Sequence, residues 1–190
     1  NTNYQVINKT NKTVDNDGKN IKLESEIGIS IIIAHYNQPE LLKNCLKSLF
    51  KSDYSNFEVI VIDDCSSSPI DDIQETFPMK FIQLEKNKGN GFARNIGVKN
   101  STKDVLFFID ADTEMPNNVF HLINQGINVE GNDGVCGVVH EKSINRGIVS
   151  EWIAYETNYI LNKSDLEISQ FFAAVCGAIR KDVYLNTGEM

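Results

Sequence analysis

Between residues 28 and 140 the chain alternates short, largely apolar runs with segments whose apolar residues recur every three or four positions. The runs Ile29–Ala34, Phe57–Ile62, Met79–Leu84, Val105–Ile109 and Gly134–Val139 are β-branched or aromatic and too short for helices. They predict strands, the continuous ones buried on both faces. After the first run, Pro39 stands where a first helical residue would. Leu41, Leu42, Cys45, Leu46, Leu49 and Phe50 then fall on one helical face. Helices are likewise predicted over Pro69–Phe77, Phe92–Lys99 and Pro116–Val129, the last with Phe120, Ile123 and Ile127 on one side. Strict β-α alternation of this kind implies an α/β fold: a mostly parallel sheet, helices on both faces, right-handed crossovers.

The pattern weakens at both ends. Residues 1–26 are Asn, Lys, Thr and Asp without periodicity and read as a polar tail or linker, leaving 27–190 as the folded domain. Beyond His140, a helix is expected over Val149–Leu161, a strand over Phe171–Cys176 and a last helix from Arg180.

In a parallel sheet the carboxyl ends of the strands share one edge, where ligands of open α/β folds bind. Here those ends are polar. The first run stops at His35-Tyr36-Asn37, the second at Asp63-Asp64, the fourth at Asp110-Ala111-Asp112. Two like charges about 4 Å apart repel by roughly 4 kcal/mol at an effective dielectric near 20. Asp110 and Asp112 at a buried strand end therefore imply a compensating divalent cation, for which oxygen ligands suit Mg²⁺ or Mn²⁺, or else they cap the turn before the next helix.

Charge and cysteines narrow the field. A formal net charge of −8 over 190 residues argues against nucleic-acid binding by bulk attraction, but not against an anionic ligand held through a cation. The 4 cysteines have no C-x-x-C spacing, so buried free thiols in a reducing, cytoplasmic setting are expected rather than a zinc site. No stretch approaches the 18 or so apolar residues of a membrane span. Glycine cradles of the G-x-x-x-x-G-K or G-x-G-x-x-G type are absent after the first strand, so phosphate binding has to rely on side chains and metal.

Taken in order, ISIIIAHYNQPELLKNCLKSL, FEVIVIDDCSSS, NKGNGFARNIGVKNS and DVLFFIDADTEMP resemble the successive signatures of family 2 glycosyltransferases with the GT-A fold. The resemblance covers residues 28–140 and runs more weakly to the end. It implies inverting transfer of a sugar, a hexose or N-acetylhexosamine, from a UDP-sugar donor to a saccharide or lipid-linked acceptor, as in surface polysaccharide synthesis. By position, Ala34, Tyr36 and Asn37 would flank the base and ribose, and Asp64 would accept the base imide N–H. Arg94, in Gly91-x-Ala93-Arg94-Asn95, would approach base or phosphate. Asp110 would face the ribose and Asp112 of the D-x-D motif would coordinate Mn²⁺ or Mg²⁺. The catalytic base is expected one or two residues beyond Met190, the domain being incomplete at that end, with Glu189 as a substitute. Peripheral association with the cytoplasmic face of a membrane would come from regions outside the chain. Trp152, Tyr155 and Tyr159 are expected in a core, with sugar stacking as the alternative. Two other readings stay open at this point: a non-catalytic nucleotide-sugar-binding or scaffold module, and a nucleotidyltransferase. The second would want a glycine-rich basic loop where this chain has HYNQPE.

Overall fold

The computed structural model describes residues 2–5, 25–68, 70–139 and 176–188. In chain order these form β1 (Thr2–Gln5), β2 (Ile29–His35), α1 (Pro39–Leu49), β3 (Phe57–Asp63), α2 (Asp71–Thr76), β4 (Lys80–Gln83) and α3 (Asn90–Asn100). There follow β5 (Val105–Asp110), β6 (Thr113–Glu114), α4 (Val119–Asn124), a π-helical turn (Gln125–Val129), β7 (Gly134–Cys136), β8 (Val138–Val139), β9 (Cys176–Arg180) and α5 (Lys181–Thr187).

The main sheet has the order β4-β3-β2-β5-β9-β7. Its four strands β4, β3, β2 and β5 are parallel, as the β-α alternation predicts, while β9 runs antiparallel to both β5 and β7. Because β2 and β5 are buried along nearly their whole length, their alternating side chains feed two separate cores. Ile29, Ile31 and Ile33 join Val59, Val61, Phe107 and the inner faces of α1 and α4. Ile32 and Ala34 join Ile60, Ile62, Leu106, Phe108, Ala93 of α3 and Tyr184 of α5. Helices therefore cover both faces. On the first, Phe120 is fully buried, stacked on Phe57 at 4.9 Å between ring centroids and set edge-on to Phe107 at 6.4 Å. Burying a side chain of that size contributes about 2–3 kcal/mol.

Three features depart from the hydrophobic pattern. The run Gly134–Val139 divides at Gly137 into β7 and β8. A Cβ there would come within 2.3 Å of Cys176 Sγ, and the Gly137 N–H donates to the Cys176 carbonyl at 2.7 Å, so only glycine permits this approach. The segment after Pro116 forms one short helix and a π-helical turn, where Gly126 lies against Val135 and its carbonyl accepts from Asn132. Thr2–Gln5, inside the polar segment read as a tail, forms a strand that pairs parallel with β6 and antiparallel with β8.

Candidate donor-binding site

Register brings the carboxyl ends of the strands level. Ala34 pairs with Asp110 on one side and Ile62 on the other, and His35 pairs with Asp63. Asp110 consequently closes β5 beside the end of β2, on the sheet face that packs against α3. Arg94, one turn into α3, reaches it: Nη2 donates to Asp110 Oδ1 at 2.6 Å, with the two side chains 12% and 31% exposed. Helix α3 can lie this close because Gly97 has no Cβ, which would otherwise sit 2.4 Å from Ile32 Cγ2. The Arg94 Nε is buried and meets no acceptor among the described residues. Burial pushes the Asp110 carboxyl above its ordinary value; the Arg94 charge opposes this and the Asp112 charge adds to it.

Asp112 is half-buried, and among the described residues no hydrogen bond or ion pair reaches its carboxylate. The backbone around it is fixed from α1. Ser48 Oγ accepts from the Met115 N–H at 2.9 Å, and Cys45 Sγ lies 3.9 Å from the Asp110 carbonyl. Burial, then the charges of Asp112, Glu114 and Asp110, drive the Cys45 thiol far above its usual range. The field at this edge is negative. Asp112 offers hard oxygen donors beside a second carboxylate that Arg94 already engages, and Mg²⁺ or Mn²⁺ commonly takes one or two carboxylates plus substrate phosphates. The donor set fits such a cation. Among the described residues, no three His, Cys, Asp or Glu side chains gather closely enough to hold one unaided.

The remaining expected site residues order loops. Asp64 is 2% exposed, and its carboxylate oxygens accept the Lys88 and Gly89 backbone N–H groups, each at 2.7 Å. Gly89 has φ +87°, a left-handed conformation natural to glycine, and precedes α3. Asp64 thus fixes the loop that delivers Arg94, while each of its oxygens keeps a second lone pair. Asn37 has φ +53°. Its N–H donates to Ser66 Oγ at 2.8 Å and its Oδ1 accepts from the Ser67 N–H at 2.8 Å, which stitches the first loop to the second. Ser66 Oγ in turn donates to Asp63, which also accepts from Gln83 Nε2 at 3.0 Å. Tyr36 is 47% exposed beside Ala34. Lys88, Ser66, Ser67 and Gln83 were not legible as site residues, because their contribution is to backbone N–H groups and loop closure. Gly89 in GNG was the one visible signal.

Of the cysteines, Cys45 and Cys176 are buried free thiols as expected, Cys65 is half-buried, and Cys136 is exposed. Burial pushes Cys176 up to about 12. His140, Trp152, Tyr155, Tyr159 and Glu189 lie outside the described residues.

Against this geometry, the sequence model named Glycosyl transferase family 2 matches residues 30–187. The chain belongs to glycosyltransferase family 2. A Haemophilus influenzae protein named an uncharacterized glycosyltransferase is 31% identical over 165 residues, covering 84% of this chain and 55% of that protein. The poly-β-1,6-N-acetyl-D-glucosamine synthase of Staphylococcus epidermidis is 36% identical over 90 residues, covering 45% of this chain and 22% of the synthase. The chain thus spans about half or less of the length of these curated relatives. The crystal structure of S. aureus TarS 1-349 in complex with UDP-GlcNAc superposes with a TM-score of 0.69 at 22% identity, covering 85% of this chain and 47% of that one. That likeness shows the GT-A fold. No helix among the described residues is long and apolar enough to cross a membrane.

Proposed function

We propose that this family 2 glycosyltransferase domain binds a UDP-sugar, a hexose or N-acetylhexosamine donor, through the edge formed by β2, β3 and β5, for inverting transfer to a saccharide or lipid-linked acceptor in surface glycan synthesis. The observation that carries the reading is the convergence of Asp64, Arg94, Asp110 and Asp112, from three separated segments, on the carboxyl ends of level parallel strands. The relatives agree in chemistry: one neighbour of the same fold is a complex with UDP-GlcNAc, and one relative is named a synthase of an N-acetylglucosamine polymer.

In this reading Arg94 counters the burial that raises the Asp110 pKa and orients Asp110 toward the ribose, Asp64 and the Lys88–Gly89 loop wall the base, and Asp112 holds Mn²⁺ or Mg²⁺. When bound, that cation neutralises charge building on the leaving diphosphate. The acceptor hydroxyl needs a carboxylate to take its proton on the face opposite the leaving group. Within this chain, Glu189 is the candidate for that base.

Calorimetric titration of UDP, GDP and TDP, each with and without Mn²⁺, tests the assignment. UDP is expected to bind more tightly with metal and to lose at least about tenfold in affinity in Asp112→Ala. Equal binding of all three nucleotides, or of none, overturns it.

A further inference from the structure

On the sheet face that carries α3, helix α5 lies alongside it and meets the α3–β5 unit at three bonded points. The Lys181 N–H donates to the Asp104 carbonyl and Lys181 Nζ to the Ser101 carbonyl, both at 2.8 Å. The Tyr184 hydroxyl donates to Asn95 Oδ1 at 3.0 Å, and both residues are buried. The first two bonds fasten the end of α3 and the turn into β5. Asn95 directly follows Arg94 and lies roughly 9 Å farther up the helix than Ser101, at 1.5 Å per residue. The Tyr184 ring rests against Phe108, 5.4 Å between centroids, and Phe108 stands two residues before Asp110 on β5. Tyr184 therefore touches both elements that carry the ion pair, beside Arg94 on one and close to Asp110 on the other. The two helices are not packed flush. A groove of about 210 Å³, lined by Asn95, Val98, Lys99, Lys181, Tyr184 and Leu185, opens between them, so α5 steadies this part of α3 through local contacts. Arg94 itself donates to Asp110 through Nη2, while its buried Nε meets no acceptor among the described residues. The position of the guanidinium is consequently inherited from the α3 backbone.

We infer that Tyr184 is a positioning residue: through its hydroxyl on Asn95 and its ring on Phe108 it sets α3 against β5, and so places the Arg94 guanidinium for the donor. The inference rests on the donor-site reading and adds to it a residue of the core outside the strand edge. Packing against Phe108 asks only for a ring, which phenylalanine also supplies; the hydroxyl is what packing leaves over. A buried hydroxyl and a buried amide each need a partner, so their bond specifies how the two elements meet as well as filling space. Transmission to the ion pair is short, because Asn95 and Arg94 are consecutive in one helix. A lengthening of about 1 Å takes an N–H···O contact outside hydrogen-bond range, so a small shift of this turn of α3 is enough to release Arg94 from Asp110.

The test is a double-mutant cycle on UDP affinity in the presence of Mn²⁺, read by calorimetry in wild type, Tyr184→Phe, Arg94→Gln and the doubly substituted protein. Tyr184→Phe keeps the ring and removes only the hydroxyl. It is expected to weaken UDP about fivefold when Arg94 is present and by less than about twofold once Arg94 is replaced, because its effect passes through that guanidinium. Asn95→Ala removes the acceptor instead; it is expected to give the same pattern and stands in if Tyr184→Phe melts too low to measure. A purely structural hydroxyl would lower the melting temperature yet leave the affinity of the folded protein alone. Unchanged UDP affinity in Tyr184→Phe and Asn95→Ala, or an equal loss with and without Arg94, overturns the positioning role while leaving the donor site in place. Failure of wild type to bind UDP overturns the donor-site reading itself, and the positioning role with it.

Discussion

Arg94 and Asp110 form the shortest ion pair among the described residues, at 2.6 Å, and the pair is more than half shielded from water. Without the guanidinium, Asp110 would keep only influences that raise its pKa, burial first and the neighbouring Asp112 charge second. Arg94→Gln is therefore expected to lower stability by about 1–3 kcal/mol, read in urea denaturation, and UDP affinity by at least about tenfold. Arg94→Lys restores the charge without the planar fork and should recover only part of the affinity; full recovery would mean that charge alone matters at this position. A second buried group responds to pH. His35 is 1% exposed, neither ring nitrogen has a partner among the described residues, and burial holds its pKa below the ordinary 6.5, the Asp63 charge pulling the other way. A base whose folded pKa is lowered is neutral in both states above its unfolded value, so it costs nothing there. As pH falls below about 6.5 the unfolded chain takes up the proton first and stability drops. The urea midpoint should thus fall between pH 7.5 and 5.5 in wild type and fall less in His35→Leu. Equal slopes in the two proteins would show that other groups govern this window.

At the scale of elements, helix α3 is the lever of the site: it carries Arg94, and it rests on β2 and β3 through Gly97. A methyl group there would lie 2.4 Å from Ile32 Cγ2 and 2.8 Å from Ile62 Cδ1, closer than packed atoms tolerate. Gly97→Ala gains helix propensity of up to about 1 kcal/mol, but overpacking costs about 1–3 kcal/mol, so net destabilisation is expected. Because the helix has to rise off the sheet, UDP affinity should fall along with the denaturation midpoint; a stabilised protein with normal affinity would show that the strands yield instead. The sheet and its helices were legible because Ile31–Ala34, Val59–Ile62 and Val105–Ile109 are buried on both faces and carry an unbroken apolar signal. Gly134–Val139 read as one strand because the approach of Gly137 to Cys176 joins residues far apart in sequence, and periodicity is blind to such contacts. Thr2–Gln5 gave no signal, since TNYQ lacks apolar alternation and its pairing with β6 and β8 uses backbone groups that every residue possesses. The acidic strand ends were visible as a site for the opposite reason: buried carboxylates are costly, so sequences rarely place them there without use. What each does was less visible, because Asp64 and Asn37 bond to backbone N–H groups and to serines in neighbouring loops.

Considered as a whole, the molecule has a net charge of −8 and is proposed to bind a diphosphate at an edge lined by carboxylates. Repulsion of that sort is not overcome by Arg94 alone, whose charge is already engaged by Asp110. In the proposed reading, a cation held by Asp112 would become part of the binding equilibrium, since Mg²⁺ or Mn²⁺ commonly takes one or two carboxylates together with substrate phosphates. Linkage makes this quantitative: whatever factor Mn²⁺ contributes to UDP affinity, UDP must contribute to Mn²⁺ affinity. The expected outcome is a common factor of at least about tenfold. Calorimetry measures the nucleotide side, and loss of the free-Mn²⁺ resonance signal on titration with protein, with and without UDP, measures the metal side. Asp112→Ala should bring both factors close to one. If instead Mn²⁺ binds as tightly without nucleotide as with it, the coordination is complete within the protein, and the diphosphate has no part in holding the ion.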